Sequence, residues 1–294
     1  MKHNKALGQI SFLIKLLTDR DEFVRNRVQE QLIDLGEDAL PFLEIAVRGG
    51  DDDLRIQANA VIQSILPQKL AEKFRQLAQK GLGQDIDLET GMMLIMEFGY
   101  PNSDPEEFRQ KLDELAQNFA DILNPEAEPP EIVTAFTHFL FQQKGFKGNK
   151  DDYQNPDNSF LNKVLDNQTG LPITLSAICV LLAKRLHLPI VGVGMPGHYI
   201  VKYSLPIEPI YFDPFHQGRL LTKKECIQIV EQFGHSFEEH FLSQATQRET
   251  LIRMLNNLIQ VYKKSNETKK AETLTKYIKI LLNPSKGQQS EIIH

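Results

Sequence analysis

The sequence predicts a predominantly helical α+β protein in which one buried helix leads into a small antiparallel sheet. From Thr174 onward apolar residues recur at intervals of three and four, the spacing of an α-helix with one buried face. Short apolar segments separated by Gly and Pro turns follow this helix and predict three strands. These segments are residues 190–193, 195–203 and 210–215.

The central helix has sequence signals at both ends. Pro172 occupies the first helical position, where its missing N–H costs nothing because that donor has no partner within a helix. Leu188 precedes Pro189 and is therefore disfavoured in helical geometry, so the helix is expected to end near His187. The predicted order then places His198 on the second strand and Asp213 on the third.

Composition limits the classes of function. With 294 residues, the chain suggests one large or two to three small domains. Its 41% hydrophobic and 24% charged residues are typical of a chain that buries a sizeable core. The formal charge of −6 argues against nucleic-acid binding, which needs a basic surface.

The cysteines and the apolar runs predict a cytoplasmic protein. Cys179 and Cys226 have no CxxC partner and lie in apolar segments, as buried free thiols of a reducing compartment do. No charged-then-apolar signal opens the sequence. The longest apolar run, residues 173–183, is shorter than the roughly 20 residues that a membrane span needs. We therefore expect no membrane insertion and no cofactor.

Residues 1–75 contain two helical hairpins with a similar pattern. Each has an acidic turn followed by an arginine, and these arginines, Arg25 and Arg55, are 30 residues apart. The segment resembles two HEAT-type repeats. Two repeats are fewer than the three that usually stand alone, so the segment should pack on the next domain or on a partner. It is either a protein-binding surface or a helical cap on the core.

Further helices are predicted on both sides of the central unit. Residues 132–143 form one, with Phe136 and Phe139 in the core. Residues 248–285 form two amphipathic helices that resemble a single tetratricopeptide repeat and should dock on the core, because a lone repeat cannot stack on copies of itself. The inward positions of this hairpin are Leu255, Leu258, Tyr262, Ala271, Tyr277 and Leu281.

The order of a helix start, a His and a later Asp resembles the transglutaminase-like core of the papain-type Cys-His-Asp superfamily. This resemblance implies a nucleophilic Cys at the N-terminus of the central helix, where the helix dipole favours the thiolate. It implies that His198 is the base and that Asp213 orients it. Matching the small residue Ser176 and the helix exit at Pro189 places the Cys position at Pro172, which is not a nucleophile.

Several ordered segments resemble the bacterial SirB-type family of transglutaminase-like proteins. In that family too the helix opens with Gly-x-Pro-Ile, so Pro172 looks like a family trait. The resemblance covers roughly residues 87–241, within an expected core domain of residues 85–245. Its segments are GFKGN at 145–149, DDY at 151–153, NSFLNKVL at 158–165, GLPITLS at 170–176, PGHYIV at 196–201 and DPF at 213–215.

Two functions from different classes remain open. The first is a non-catalytic transglutaminase-like scaffold that binds an unknown protein partner in a regulatory role, which the helical flanks favour. The second is a hydrolase or acyl-transferase, protease- or amidase-like, that uses His198 and Asp213 with an atypical nucleophile or an activated water. Thr174 and Ser176 lie nearest to the nucleophile position. Cys179 lies about two helical turns, or ~10 Å, beyond it.

No metal site is expected from the sequence. His235 and His240 are five residues apart, which places them on different faces of a helix. The acidic residues between them do not complete a zinc-protease pattern.

Overall fold

The structure is a computed structural model that describes residues 2–284, with side chains from residue 9 onward. The chain divides into two compact units, one ending at Lys73 and the other beginning at Phe74. Helices make up most of both units, and a small antiparallel sheet lies in the second. The predicted fold class, a predominantly helical α+β protein, is confirmed.

The first unit is entirely helical over its described residues. Its turns provide the expected caps, because the side chain of Asp21 accepts from Phe23 N and that of Asp51 from Leu54 N. The helices are α1 (Lys2–Lys15), α2 (Glu22–Leu35), α3 (Leu40–Gly49) and the part of α4 (Asp52–Lys80) that precedes residue 74. Their shared core contains Ile10, Leu17, Val28, Leu32, Leu43, Ala58, Ile62 and Ile65.

Eight further α-helices are described in the second unit. Residues 138–143, which follow the helix of residues 129–137, form a π-helical turn. Phe136 of that helix and Phe139 of the turn are buried as expected. The helices are α5 (Leu88–Gly99), α6 (Pro105–Ala120), α7 (Pro129–Thr137), α8 (Leu161–Asn167), α9 (Pro172–Arg185), α10 (Lys223–Gln232), α11 (Gln247–Lys264) and α12 (Thr268–Leu282).

Helix α9 is the centre of this unit. It begins at Pro172 as predicted, with Leu171 as an extended N-cap residue. It packs against α5, α6, α8, α11 and the sheet, so almost every residue from Pro172 to Ala183 is buried. The expectation of one buried face was wrong, because neighbouring elements cover the helix on all sides. Arg185 closes its C-terminal end through ion pairs to Glu89 and Asp113.

The sheet has four antiparallel strands in the order β3-β4-β5-β6. These are β3 (Ile190–Val193), β4 (Ile200–Tyr203), β5 (Ile210–Asp213) and β6 (Arg219–Leu221). In the register, Val201 faces Phe212, and Asp213 faces Arg219. A separate parallel pair joins β1 (Lys147–Gly148) to β2 (Thr169–Gly170), directly before α9.

The C-terminal hairpin of α11 and α12 packs on the core as predicted. Tyr277 stacks on Phe74 with ring centroids 4.6 Å apart and meets the edge of Phe98. A methyl group at position 91 would lie 2.5 Å from Leu251 Cδ2, so α5 and α11 are in close contact. The residues predicted to point inward, Leu255, Leu258, Tyr262, Ala271, Tyr277 and Leu281, are all buried.

Hydrogen bonds also join the starts of α5 and α11. Leu88 N donates to Gln247 Oε1 over 2.8 Å. In return, Gln247 N and Arg248 N donate to the two carboxylate oxygens of Asp85. At the start of each helix, N–H groups that lack an intrahelical partner therefore donate to a side chain beside the start of the other helix.

No helix within residues 2–284 combines the length and the apolar character that crossing a bilayer requires.

Candidate functional site

His198 lies in the turn that precedes β4, not on a strand. The turn is tight because Gly197 has a φ of 74°, a conformation that favours glycine, and His198 N donates to Met195 O. The strand itself begins two residues later, at Ile200. The expected strand position for His198 was therefore wrong, whereas Asp213 is the last residue of β5 as predicted.

His198 and Asp213 form a buried hydrogen-bonded pair. His198 Nε2 lies 2.7 Å from Asp213 Oδ2. The other carboxylate oxygen, Oδ1, accepts from Phe215 N and His216 N over 2.9 and 3.3 Å. These backbone donors fix the orientation of the carboxylate, and the carboxylate in turn fixes the imidazole. The prediction that the two side chains meet is confirmed.

A second histidine, His216, shares the same carboxylate and was not predicted from the sequence. Its Nδ1 lies 2.7 Å from Asp213 Oδ2. Residues 214–216 form a 3₁₀ turn capped by Asp213, and in such a turn residues three apart lie above one another. The ring of His216 remains 46% exposed, while that of His198 is buried. Asp213 thus joins a buried and an exposed imidazole.

The environment keeps Asp213 ionised. Burial alone would raise its pKa, but the hydrogen bonds and positive charge of His198, and then of His216, outweigh burial and lower the pKa below its usual value. The site therefore combines a buried carboxylate with two imidazoles that favour its charge.

The three side chains also include a donor set that metals accept. His198, Asp213 and His216 each place one ligand atom within 4.8 Å of the other two. Two imidazoles and a carboxylate suit zinc or iron. Both short separations, however, are 2.7 Å and end on one oxygen, which is hydrogen-bond geometry. His235 and His240 belong to no such three-ligand group in the part of the chain that the structure describes.

The candidate nucleophiles of α9 are buried and do not reach His198. Ser176 Oγ donates to Tyr199 O over 3.5 Å, and Thr174 Oγ1 has no hydrogen-bond partner among the described residues. Cys179 is fully enclosed, and burial raises the pKa of its thiol far above the usual range. Burial likewise raises the pKa of Cys226, to about 12. Neither thiol is a thiolate near neutral pH.

An open cleft of about 470 Å³ lies beside His216. It is lined by Lys147 of β1, by Asn149 and Lys150 of the loop that follows, and by Gln217. The short β1–β2 pair holds this loop against the start of α9. Strand β1 also needs glycine at 148, where a methyl group would come within 2.4 Å of the Phe215 ring.

The chain belongs to the transglutaminase-like superfamily. The family model described as "Transglutaminase-like superfamily" matches residues 106–256, which contain α9, the sheet and the His198–Asp213 pair. This match confirms the family-level part of the resemblance drawn from the sequence.

Similar proteins occur in bacteria and in mammals. A "UPF0162 protein" of Xylella fastidiosa strain 9a5c is 33% identical over 198 residues, which are 64% of this chain and 69% of the relative. "F-box only protein 21" of Mus musculus is 30% identical over 142 residues, 46% of this chain but 22% of that protein. The human protein of the same name matches to the same extent. No solved structure matches the chain significantly.

Proposed function

We propose that this protein is a non-catalytic transglutaminase-like protein that acts as a protein-interaction or regulatory scaffold. The observation that carries the proposal is Pro172, which begins α9 where the superfamily resemblance implies a cysteine. Proline offers no nucleophilic side-chain atom, and covalent catalysis of this class depends on one.

In this proposal, no hydroxyl or thiol of α9 takes over the missing role. Thr174 and Ser176 are buried and make no hydrogen bond with His198, which activation of a hydroxyl requires. Cys179 is enclosed and protonated. We therefore assign His198 and Asp213 a supporting role in this protein: their hydrogen bond satisfies two buried polar groups and joins β5 to the turn before β4.

The helical flanks supply the interaction surface in this proposal. We propose that residues 1–75 are HEAT-like, that residues 85–245 form a SirB-type core, and that residues 248–285 are tetratricopeptide-like. Support comes from four large apolar side chains exposed on the first unit, because exposed apolar surface is what protein–protein contacts bury. These are Phe12, Phe23, Ile45 and Ile56. The unpaired Cys179 and Cys226 support a reducing, cytoplasmic location.

One observation favours the alternative, a hydrolase or acyl-transferase. His198 keeps a charged, buried carboxylate partner, as the base of a catalytic dyad does. In that case His198 would activate a water or an atypical nucleophile.

Covalent probes separate the two functions. We expect an iodoacetamide probe and a fluorophosphonate probe to leave the folded protein unlabelled at neutral pH. Specific labelling that disappears in His198→Ala would establish the enzyme and refute the scaffold.

Binding is tested by capture from native lysate with the full chain. A partner bound through the first unit should be lost with Phe12→Ser/Phe23→Ser. It should be retained with Ile207→Ser, which removes an apolar side chain of the second unit that is 97% exposed. Equal capture by all three chains would remove the support for this surface.

A further inference from the structure

Arg253 places a positive charge next to the backbone of His198. It lies on α11, and its Nη2 donates to His198 O over 3.0 Å. Its guanidinium carbon stands 5.5 Å from the centre of the Tyr199 ring, within the range of a cation–π contact. The guanidinium is therefore held in place by a carbonyl and an aromatic face, neither of which neutralises its charge.

No carboxylate of the described residues pairs with Arg253. Arg253 takes part in none of the ion pairs among residues 9–284, and its one hydrogen bond there uses one of five N–H donors. Burial lowers the pKa of Arg253, although arginine stays protonated in proteins. A charge in this partly enclosed setting is costly unless an anion compensates it.

Arg185 shows how the same protein treats another partly buried arginine. Its guanidinium binds Glu89 on one side and Asp113 on the other, at 2.7 and 2.6 Å. Two carboxylates thus surround a guanidinium that serves a structural role. Arg253 is also half-buried, but it lies against the turn before β4 and forms no ion pair with a carboxylate of residues 9–284.

A cavity of about 530 Å³ opens next to Arg253. Its wall includes the turn of residues 194–197, and its rim carries the polar side chains of Ser243 and Gln244. Gly194 leaves room beside the guanidinium, because a methyl group there would lie 3.5 Å from Arg253 Nη1. The unused N–H donors of Arg253 therefore lie next to the empty space of the cavity.

We propose that this cavity binds the carboxylate of a small organic acid or of a peptide end, with Arg253 as the anion-recognising residue. A guanidinium matches a carboxylate through two parallel N–H···O bonds. Glu249 also lines the cavity, and its carboxylate accepts from Thr246 N over 2.8 Å. This fixed negative charge favours a ligand group with one negative charge over doubly charged phosphate. The site is separate from the nucleophile position and does not depend on whether the core is catalytic.

The test is a titration of the full chain with N-acetylglycine, with the uncharged N-acetylglycinamide and with inorganic phosphate, at constant ionic strength. Amide chemical shifts of Gly194 and Gly197 report binding. We expect saturable shifts with N-acetylglycine, none with the amide, and weaker binding of phosphate. Arg253→Gln should weaken N-acetylglycine binding about tenfold or more, because it removes a charge-assisted pair of hydrogen bonds.

Two further variants keep the result interpretable. Gly194→Val fills the space beside Nη1 while it retains Arg253, and it should also abolish binding. Arg219→Gln removes an exposed arginine that pairs with Glu225 and should bind as the parent does. No saturable binding of N-acetylglycine, equal binding by Arg253→Gln, or tighter binding of phosphate would each overturn the proposal.

Discussion

The carboxylate of Asp213 is held by the imidazole of His198 in an interior where both side chains are almost inaccessible, with Nε2 and Oδ2 2.7 Å apart. This pairing makes stability depend on pH. The pKa of Asp213 is lowered in the folded state, so its contribution is fully present above the ordinary aspartate pKa. That contribution is lost as the pH falls through the lowered value.

Asp213→Asn should therefore destabilise the protein by about 3 kcal/mol at neutral pH, because it leaves the histidines without a charged partner. Chemical unfolding at several pH values should also show a shallower loss of stability in acid. Asp166→Asn, which affects an exposed pair with Lys111, should cost less than about 1 kcal/mol. An unchanged acid dependence in Asp213→Asn would contradict this role.

Neither cysteine thiol should react rapidly in the native protein. Cys179 and Cys226 are both buried, and burial raises the pKa of each thiol, that of Cys226 to about 12. Ellman's reagent at neutral pH should titrate no thiol rapidly in the folded protein and two in guanidinium. Cys226→Ser should reduce the second number to one. Rapid modification of the native Cys226→Ser chain would show that Cys179 is accessible after all.

A thiol at the start of α9 should behave differently. Position 172 is buried, which opposes ionisation, but Pro172→Cys places sulfur at the helix N-terminus, where the dipole lowers a thiol pKa. His198 lowers it further if it faces that position. Iodoacetamide should then modify one thiol, with a pH midpoint below the usual value of about 8.5.

The matched control places a cysteine at another helix start. Pro129→Cys lies at the first position of α7, and no histidine pair corresponds to it in the superfamily pattern. The midpoint for Pro172→Cys should be lower than for this control, and His198→Ala should raise it. If His198→Ala leaves the midpoint unchanged, Pro172 does not mark the nucleophile position.

Contact between α5 and α11 should be sensitive to a single methyl group. Gly91→Ala brings a carbon within 2.5 Å of Leu251 Cδ2, and Leu251 is fully buried and cannot move away freely. Overpacking of this kind costs about 1–3 kcal/mol. Thermal unfolding should show a lower midpoint for Gly91→Ala. Gly49→Ala, where no atom lies within 4 Å of the added carbon, should be neutral or slightly stabilising.

The helices were accessible to sequence reasoning because their signals are local. Pro172 gave the start of α9 directly, and the inward residues of the last hairpin followed from spacing. The C-terminal end of α9 was predicted less accurately, near His187. It ends at Arg185, and His187 adopts a left-handed φ of 55° that Pro189 alone does not reveal.

The sheet was harder to predict. Strand β6 is three residues long, and its Arg219 and Leu220 are both exposed, so no alternation marks it. Strands β1 and β2 have two residues each and form only because distant segments meet. Such pairings depend on tertiary structure, which local patterns do not encode.

The sequence predicted only part of the candidate site. His198 and Asp213 were found through their order and family resemblance. His216 became part of the site because a 3₁₀ turn brings the third residue back over Asp213, and the sequence Asp-Pro-Phe-His could have suggested that turn. Arg253 donates to the carbonyl of His198, 55 positions earlier in the sequence. The apolar pattern of its helix predicts only which face is buried, so it does not predict this contact.

The hydrogen bond from Leu88 N to Gln247 has a consequence for protein synthesis, because it connects positions 159 residues apart. A ribosome that adds about 5–20 residues per second would need roughly 8–30 s to reach α11 after α5 has been translated. During that interval Phe98 of α5, whose ring meets Tyr262 and Tyr277 in the finished protein, has not yet met the C-terminal helices. The second unit of the nascent chain is therefore completed late. Until then, its exposed apolar surface depends on other components of the cell for shielding.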